Sequence, residues 1–218
     1  MEHATNYHGG DWGGNIRSTA LSVLLGGEFV PHNLDIYVNA KGFSAMLVFL
    51  MNHEYQVEKL QPHHALEKKY PKSKTILTLK RDGERIDLIG TTEEHVLTAV
   101  TQFHSTAVMN YITFYGIVCL YPEWTMRRNV PCKILDKYRG RGFKMAHTSS
   151  ELAKYDINHN CGKHICCPRT IRNLQDGLNL FVPFNDWATD IRDLEDNDDL
   201  MNLGWTLGEV SDCRKMEK

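Results

Sequence analysis

Two short apolar segments, residues 33–38 and 85–89, each carry one aspartate near the centre, Asp35 in the first and Asp87 in the second. Both segments alternate β-branched or aromatic residues with polar ones between turn-forming neighbours, which is the pattern of β-strands. An ionised carboxylate next to a core is costly to bury unless an opposite charge compensates it, and carboxylate oxygens suit Mg²⁺ or Mn²⁺. Asp35 and Asp87 are therefore the first functional candidates. The alternative is that each lies at a strand end and faces water.

The segments around these aspartates predict interspersed helices and strands. In chain order the predicted elements are a helix over 16–25 that ends at Gly26 and Gly27, the Asp35 strand, a helix over 43–51, a short strand at 55–57, a polar surface excursion over 61–74, a hairpin of 75–79 and 85–89 around Asp82 and Gly83, a helix that begins near 91–94, and a second hairpin within 103–121. The helix over 43–51 has an apolar face wide enough to cover one face of a sheet. The first hairpin places Asp87 beside the core.

The composition is that of an ordinary globular protein. The 218 residues are 42% hydrophobic and 24% charged, enough for one substantial core with or without an appendage. The net charge of -2 gives no global attraction to nucleic acid. Six cysteines are too sparse for a disulfide scaffold and indicate a reducing compartment. No stretch approaches the roughly 18 apolar residues of a membrane span, so we expect no membrane association and a location in the cytoplasm or nucleus.

The composition changes near residue 122, and this change predicts the domain organisation. Residues 1–15 are rich in glycine and predict a flexible lead-in, and residues 16–122 predict the core domain. Residues 123–218 are more charged and contain most of the cysteines. We expect this last part to form a smaller extension packed on the core.

The order of these elements resembles a known superfamily. Ser18 lies in the first predicted helix, Asp35 in the strand that follows it, and Asp87 in a later strand. The arrangement resembles the nucleotidyltransferase superfamily of the DNA polymerase β type, in which a Gly-Ser pair contacts nucleotide phosphates, an Asp-x-Asp strand binds metal, and a later acid completes a two-metal site. The resemblance implies an α+β fold with a mixed sheet flanked by helices.

The superfamily motif carries over residue by residue. Ser18 corresponds to the serine of the Gly-Ser pair, Asp35 to the second acid of the metal-binding strand, and Asp87 to the later acid. Arg17 stands where the superfamily has glycine, and Asn33 stands where it has the first metal-binding aspartate. The resemblance implies Mg²⁺ or Mn²⁺ at Asp35 and Asp87, with Asn33 in the catalytic position and Arg17 beside the nucleotide.

Two functions follow from the resemblance. The first is an enzyme that transfers a nucleotidyl group from a nucleoside triphosphate to an unknown hydroxyl acceptor. The second is a catalytically inactive module of the same fold that binds nucleotide, RNA or a protein partner and is stabilised by zinc. The departures at Arg17 and Asn33 favour the second function.

A resemblance to a set of proteins from mushroom-forming fungi covers residues 16–185. It rests on stretches like those at 34–38, 103–110 and 137–143. This resemblance implies the same fold and a nucleotide site, without a defined substrate.

A cysteine- and histidine-containing segment, residues 161–168, has the spacing of a tetrahedral Zn²⁺ site. The candidate ligands are Cys161, His164 and either Cys166 or Cys167, with His159 as the nearest fourth ligand and Cys132 or Cys213 as more distant ones. The alternatives are buried small hydrophobic residues in a loop or a disulfide.

A basic stretch follows the predicted core. It contains Arg127, Arg128, Lys133, Lys137, Arg139, Arg141 and Lys144 against the single acid Asp136. Arginine suits bidentate contact with phosphate, so the stretch predicts binding of the triphosphate, with Arg127 or Arg128 on the leaving diphosphate, or of RNA or another polyanion. The alternative is a solvated helix face.

Overall fold

The computed structural model describes residues 15–16, 18–62, 73–93, 95–103, 105–131, 140–146, 162–165, 167, 169–184, 186 and 201–207. Its elements are β1 (Asn15–Ile16), α1 (Ser18–Leu24), β2 (Leu34–Val38), α2 (Ala40–Asn52), β3 (Gln56–Pro62), β4 (Ser73–Arg81), β5 (Glu84–Thr91), α3 (Val96–Thr101), a 3₁₀ turn (Thr106–Val108), β6 (Asn110–Ile112), β7 (Gly116–Cys119), α4 (Pro122–Met126), β8 (Asn129–Pro131), β9 (Lys144–Ala146) and β10 (Leu180–Pro183).

A mixed sheet organises the fold. Within the described residues it has eight strands in the order β10-β7-β6-β1-β2-β5-β4-β3, and β8 pairs separately with β9. Strands β2 and β5 run parallel, whereas the other neighbours in the large sheet are antiparallel. The α+β class with a mixed sheet is confirmed.

The predicted hairpins are both present. Strands β4 and β5 pair around Asp82 and Gly83, both of which have positive φ in the turn. Glycine adopts such φ values without strain, which accounts for Gly83 at this place. Strands β6 and β7 pair within the stretch 103–121.

The boundaries of three predicted elements differ from those in the structure. Ile16 belongs to β1 rather than to the first helix, which begins at Ser18. Helix α3 begins at Val96, and Thr91 still belongs to β5, so the residues at 91–93 do not form the first turn. The predicted excursion over 61–74 overlaps β3 and β4, and residues 63–72 lie outside the described part of the chain.

The two faces of the sheet pack against different partners. On one face, α2 packs through Phe43, Met46 and Leu47 against a buried cluster that includes Val38 and Leu88. The other face carries a larger cluster. That cluster contains Leu21, Tyr37, Ile76, Ile89, Leu97, Val118, Tyr121, Phe143, Leu174, Met201 and Trp205.

Residues on both sides of position 122 build the sheet and the larger cluster. Strand β10 pairs with β7 from Leu180↔Cys119 to Pro183↔Gly116. Phe143, Met201 and Trp205 are buried in the same cluster as residues of α1 and α3. The later part of the chain therefore contributes a strand to the sheet as well as packing against it. In the portion that the structure describes, no helix is long and apolar enough to cross a bilayer.

Candidate functional site

The two candidate aspartates lie on the same face of the sheet. Side chains alternate between faces along a strand, so Asp35 shares a face with Tyr37, and Asp87 with Ile89. Tyr37 and Ile89 belong to the larger hydrophobic cluster, on the face opposite α2. Asp35 and Asp87 are also register partners in the parallel β2–β5 pair. The pairing thus brings together two carboxylates that lie 52 positions apart in the sequence.

The side chain of Asn33 joins the two carboxylates. Its amide nitrogen Nδ2 donates to Asp35 Oδ1 at 2.7 Å and to Asp87 Oδ2 at 2.8 Å. Asn33 precedes β2 directly, so its amide reaches both strands at the end where β2 begins. The three residues predicted for the catalytic position are therefore in mutual contact.

Two further side chains contact Asp87 from strands β4 and β5. Thr78, the register partner of Asp87, donates through Oγ1 to Asp87 Oδ1 at 2.7 Å. The Nη2 of Arg85 lies 3.1 Å from both Oδ1 and Oδ2 of Asp87, and its Nε lies 3.3 Å from Oδ1. The Asp87 side chain is 13% exposed. A nearly buried carboxylate of this kind is stabilised when hydrogen bonds and an opposite charge compensate it.

The carboxylates of Asp35 and Asp87 converge on one point. Oδ1 of Asp35 and Oδ2 of Asp87 lie 2.7 and 2.8 Å from the same nitrogen atom, Nδ2 of Asn33. Hard carboxylate and hydroxyl oxygens are ligands that Mg²⁺ and Mn²⁺ prefer. Asp35 and Asp87 supply two such carboxylates here, and the Thr78 hydroxyl holds Asp87 through a hydrogen bond. Within the described residues, no cluster of three or more acidic, histidine or cysteine side chains forms a metal site.

Strand β1 connects the start of α1 to the strand that carries Asp35. Ile16 of β1 is the register partner of Asp35, and α1 begins two residues later at Ser18. Arg141 donates through Nη1 to Ser18 Oγ at 3.4 Å, and its guanidinium lies 3.9 Å from the centre of the Phe29 ring. A hydroxyl and a guanidinium thus lie together at the start of α1. Both groups can bind phosphate oxygens.

The other predicted phosphate ligands have different surroundings. Arg127 is 75% exposed and pairs with Glu123 in α4. Arg128 pairs with Glu28 in the α1–β2 connection. Arg17 lies outside the described residues. Of the basic stretch, Arg141 is thus the described residue with a contact to Ser18.

The structure describes two of the predicted zinc ligands. Cys167 is 1% exposed, and its sulfur accepts a hydrogen bond from the Gly162 amide at 3.3 Å. The carbonyl of His164 accepts hydrogen bonds from the Cys167 amide and from Thr170 Oγ1. These contacts form a compact turn. The remaining predicted ligands, Cys161, Cys166, His159, Cys132 and Cys213, lie outside the described residues.

Two residues of the candidate site, Thr78 and Arg85, were not predicted, and Arg141 was predicted only as a member of the basic stretch. Thr78 contacts Asp87 only because of the β4–β5 register, which residue patterns alone do not fix. Arg85 shares a strand and a face with Asp87, and this spacing of two residues was a usable signal. Arg141 belongs to the basic stretch, whose contact with α1 joins residues 123 positions apart.

No family model, no curated protein and no solved structure matches the chain.

Proposed function

We propose that the protein binds a nucleoside triphosphate together with a divalent cation, and that it transfers a nucleotidyl group to a hydroxyl acceptor in the manner of nucleotidyltransferases. The observation that carries this proposal is the convergence of Asp35 and Asp87 on neighbouring parallel strands, with Asn33 in contact with both. The helix–strand–helix order of α1, β2 and α2, followed by β5 beside β2, supports it.

The residues have separate tasks in this proposal. Asp35 and Asp87 hold the cation, and Thr78 fixes the orientation of the Asp87 carboxylate through its hydrogen bond. Ser18 and Arg141 bind phosphate oxygens at the start of α1. When bound, the cation supplies positive charge that neutralises and orients the triphosphate. Transfer further requires that the acceptor hydroxyl lie in line with the α-phosphate and lose its proton as the new P–O bond forms and diphosphate leaves.

The first test is binding by calorimetry, with Mn²⁺ and each of the four common nucleoside triphosphates. We expect Asp35→Asn to weaken binding by at least about tenfold, because a neutral amide replaces one of two anionic ligands for the cation. Glu123→Gln is the matched control, since it removes a carboxylate from the surface of α4. Equal affinities in the wild type, Asp35→Asn and Glu123→Gln would reject the proposed site.

A second candidate function is binding of the nucleotide without transfer. Asn33 favours it, because a neutral amide occupies the position between the two carboxylates. In this case the cation is held by two acids instead of three, and the second ion of a two-metal site lacks an anionic ligand.

The variant Asn33→Asp separates these two functions. If the site is an inactive descendant of an enzyme, the third carboxylate should tighten Mn²⁺ binding and let water, in place of the acceptor hydroxyl, convert the triphosphate to monophosphate and diphosphate. If the wild type already releases diphosphate from a triphosphate, transfer is its function. Nucleotide binding with no release in either protein supports the binding module.

A further inference from the structure

Arg85 forms an ion pair with the carboxylate of Asp87, which a bound cation would also need. Its Nη2 lies 3.1 Å from each of the two Asp87 oxygens. Among the described residues, the other hydrogen bonds to that carboxylate come from neutral groups, Thr78 Oγ1 at 2.7 Å and Asn33 Nδ2 at 2.8 Å. Within the described part of the chain, Arg85 is thus the cationic side chain that pairs with Asp87.

A divalent cation and this guanidinium compete for one carboxylate. Both need the oxygens of Asp87, and two positive charges a few ångströms apart repel each other in a partly buried site. An arriving cation must therefore displace Arg85 or share the carboxylate with it at a cost. The two neutral donors carry no such repulsion.

Arg85 is placed so that it can leave. Its side chain is 44% exposed, compared with 13% for Asp87. Its contacts of 3.1–3.3 Å are longer than those of Thr78 and Asn33. Lys80 of β4 is the register partner of Arg85. Because Lys80 pairs with Glu58 of β3, it does not take the place of Arg85 at the Asp87 carboxylate.

We infer that Arg85 is a gate on the metal site that responds to the triphosphate. In the free protein it neutralises Asp87 and disfavours binding of a bare cation. When the cation arrives with a triphosphate, the guanidinium transfers from Asp87 to phosphate oxygens, which bind arginine well. The gate rests on the proposed function, since it acts on the same site.

The gate predicts that the cation and the nucleotide bind cooperatively. A bare cation must break the Arg85–Asp87 contacts without compensation. A cation that carries a triphosphate offers Arg85 a new anionic partner close to the old one. The affinity for the cation therefore increases in the presence of the triphosphate, and the affinity for the triphosphate increases in the presence of the cation by the same factor.

The test compares Mn²⁺ binding to the wild type and to Arg85→Gln, measured by electron paramagnetic resonance with and without a non-hydrolysable triphosphate. We expect Arg85→Gln to bind Mn²⁺ alone at least about tenfold more tightly, because the cation no longer competes with a guanidinium for the Asp87 carboxylate. With the triphosphate present, this advantage should vanish. Lys80→Gln removes a positive charge from the register partner of Arg85 and is the matched control, with an expected change within about twofold.

Three outcomes are distinguishable. Tighter binding of bare Mn²⁺ by Arg85→Gln, with no such change in Lys80→Gln, supports the gate. Equal affinities for bare Mn²⁺ in the wild type and Arg85→Gln, with cation–triphosphate binding intact, overturn the gate and leave the proposed function standing. Absence of Mn²⁺ binding in both proteins, with and without triphosphate, overturns the proposed function.

If circular dichroism shows that Arg85→Gln is unfolded, Arg85→Lys replaces it in the test. The affinity of Arg85→Lys for bare Mn²⁺ should exceed that of the wild type by less than the increase expected for Arg85→Gln.

Discussion

At the scale of single residues, one buried cation connects distant parts of the chain. Arg172 is 1% exposed and pairs with Asp176. Its Nη2 also donates to the carbonyl of Leu120 at 3.0 Å, and its backbone exchanges two hydrogen bonds with Trp205. The guanidinium lies 4.7 Å from the centre of the Tyr121 ring. A buried charge of this kind is tolerated because an opposite charge and hydrogen bonds compensate it.

We predict that Arg172→Met lowers the free energy of unfolding by about 3 kcal/mol, because it leaves the partly buried Asp176 without its opposite charge and the Leu120 carbonyl without its donor. Urea denaturation followed by circular dichroism measures the change. Arg127→Met is the control, because Arg127 is 75% exposed, and its effect should stay within about 0.5 kcal/mol. Equal losses in the two variants would show that Arg172 has no special structural role.

At the scale of elements, the sequence predicted those elements whose signal is local. Helix α2 follows from apolar residues at helical spacing, and the β4–β5 hairpin follows from two alternating runs around Asp82 and Gly83. The parallel pairing of β2 with β5 was not visible in the pattern, because it depends on contacts across α2, β3 and β4. Strand β10 was not predicted for the same reason: it has four residues, lies in a segment of turns, and forms by pairing with the distant β7.

In the candidate site as well, residues with a local sequence signal were predicted, and contacts that depend on the fold were not. Asp35 and Asp87 were predicted because a charged residue interrupts an apolar strand, which is a local signal. Thr78 and the contact of Arg141 with Ser18 were not predicted, because the first follows from strand register and the second joins residues far apart in the sequence. The roles of Asp35, Asp87 and Asn33 in catalysis remain predictions.

The pairing of β7 with β10 depends on the absence of a side chain at Gly116. A Cβ atom there would lie 2.4 Å from the carbonyl oxygen of Val182 and 2.5 Å from a ring carbon of Phe181. The first of these atoms belongs to the backbone of the partner strand and cannot move without separating the strands. Glycine at this position therefore allows the close approach of β10.

We predict that Gly116→Ala destabilises the protein by about 2 kcal/mol, because β10 must shift to accommodate the methyl group. Thermal unfolding measures the loss, and hydrogen exchange should show it as lower protection of the β10 amides. Gly204→Ala is the control, since its nearest atom, 3.3 Å away, belongs to the exposed side chain of Ile171. A Gly116→Ala variant as stable as Gly204→Ala would mean that β10 pairs loosely.

At the scale of the whole molecule, two buried ionisable groups lie where the earlier and later parts of the chain meet. Burial raises the pKa of the Cys119 thiol to about 11 and the pKa of the Tyr121 hydroxyl to about 12. Cys119 pairs with Leu180 of β10, and Tyr121 accepts a hydrogen bond from Trp205 Nε1. The folded state therefore favours the protonated form of each group. Both groups lie in the core that the two parts of the chain share.

Stability should consequently fall in alkaline solution, with Cys119 responding first. Its pKa is about 11 in the folded protein and near its ordinary value of 9.0 in the unfolded chain. Below pH 9 the thiol is protonated in both states, so its contribution is fully present; as the pH rises toward 11, the unfolded chain loses this proton first and becomes favoured. Between pH 8 and pH 10 the loss from this one group should be about 1 kcal/mol.

The variant Cys119→Val isolates this contribution, because it removes the thiol and fills the same space within β7. Urea denaturation at pH 8 and pH 10 should show a decrease in the free energy of unfolding that is about 1 kcal/mol smaller in Cys119→Val than in the wild type. Any constant cost of the substitution cancels in this comparison, and the lysines and tyrosines that titrate in the same range are common to both proteins. An identical decrease in the two proteins would mean that the Cys119 thiol ionises as readily in the folded state as in the unfolded chain, and that the core around β7 and β10 does not exclude water.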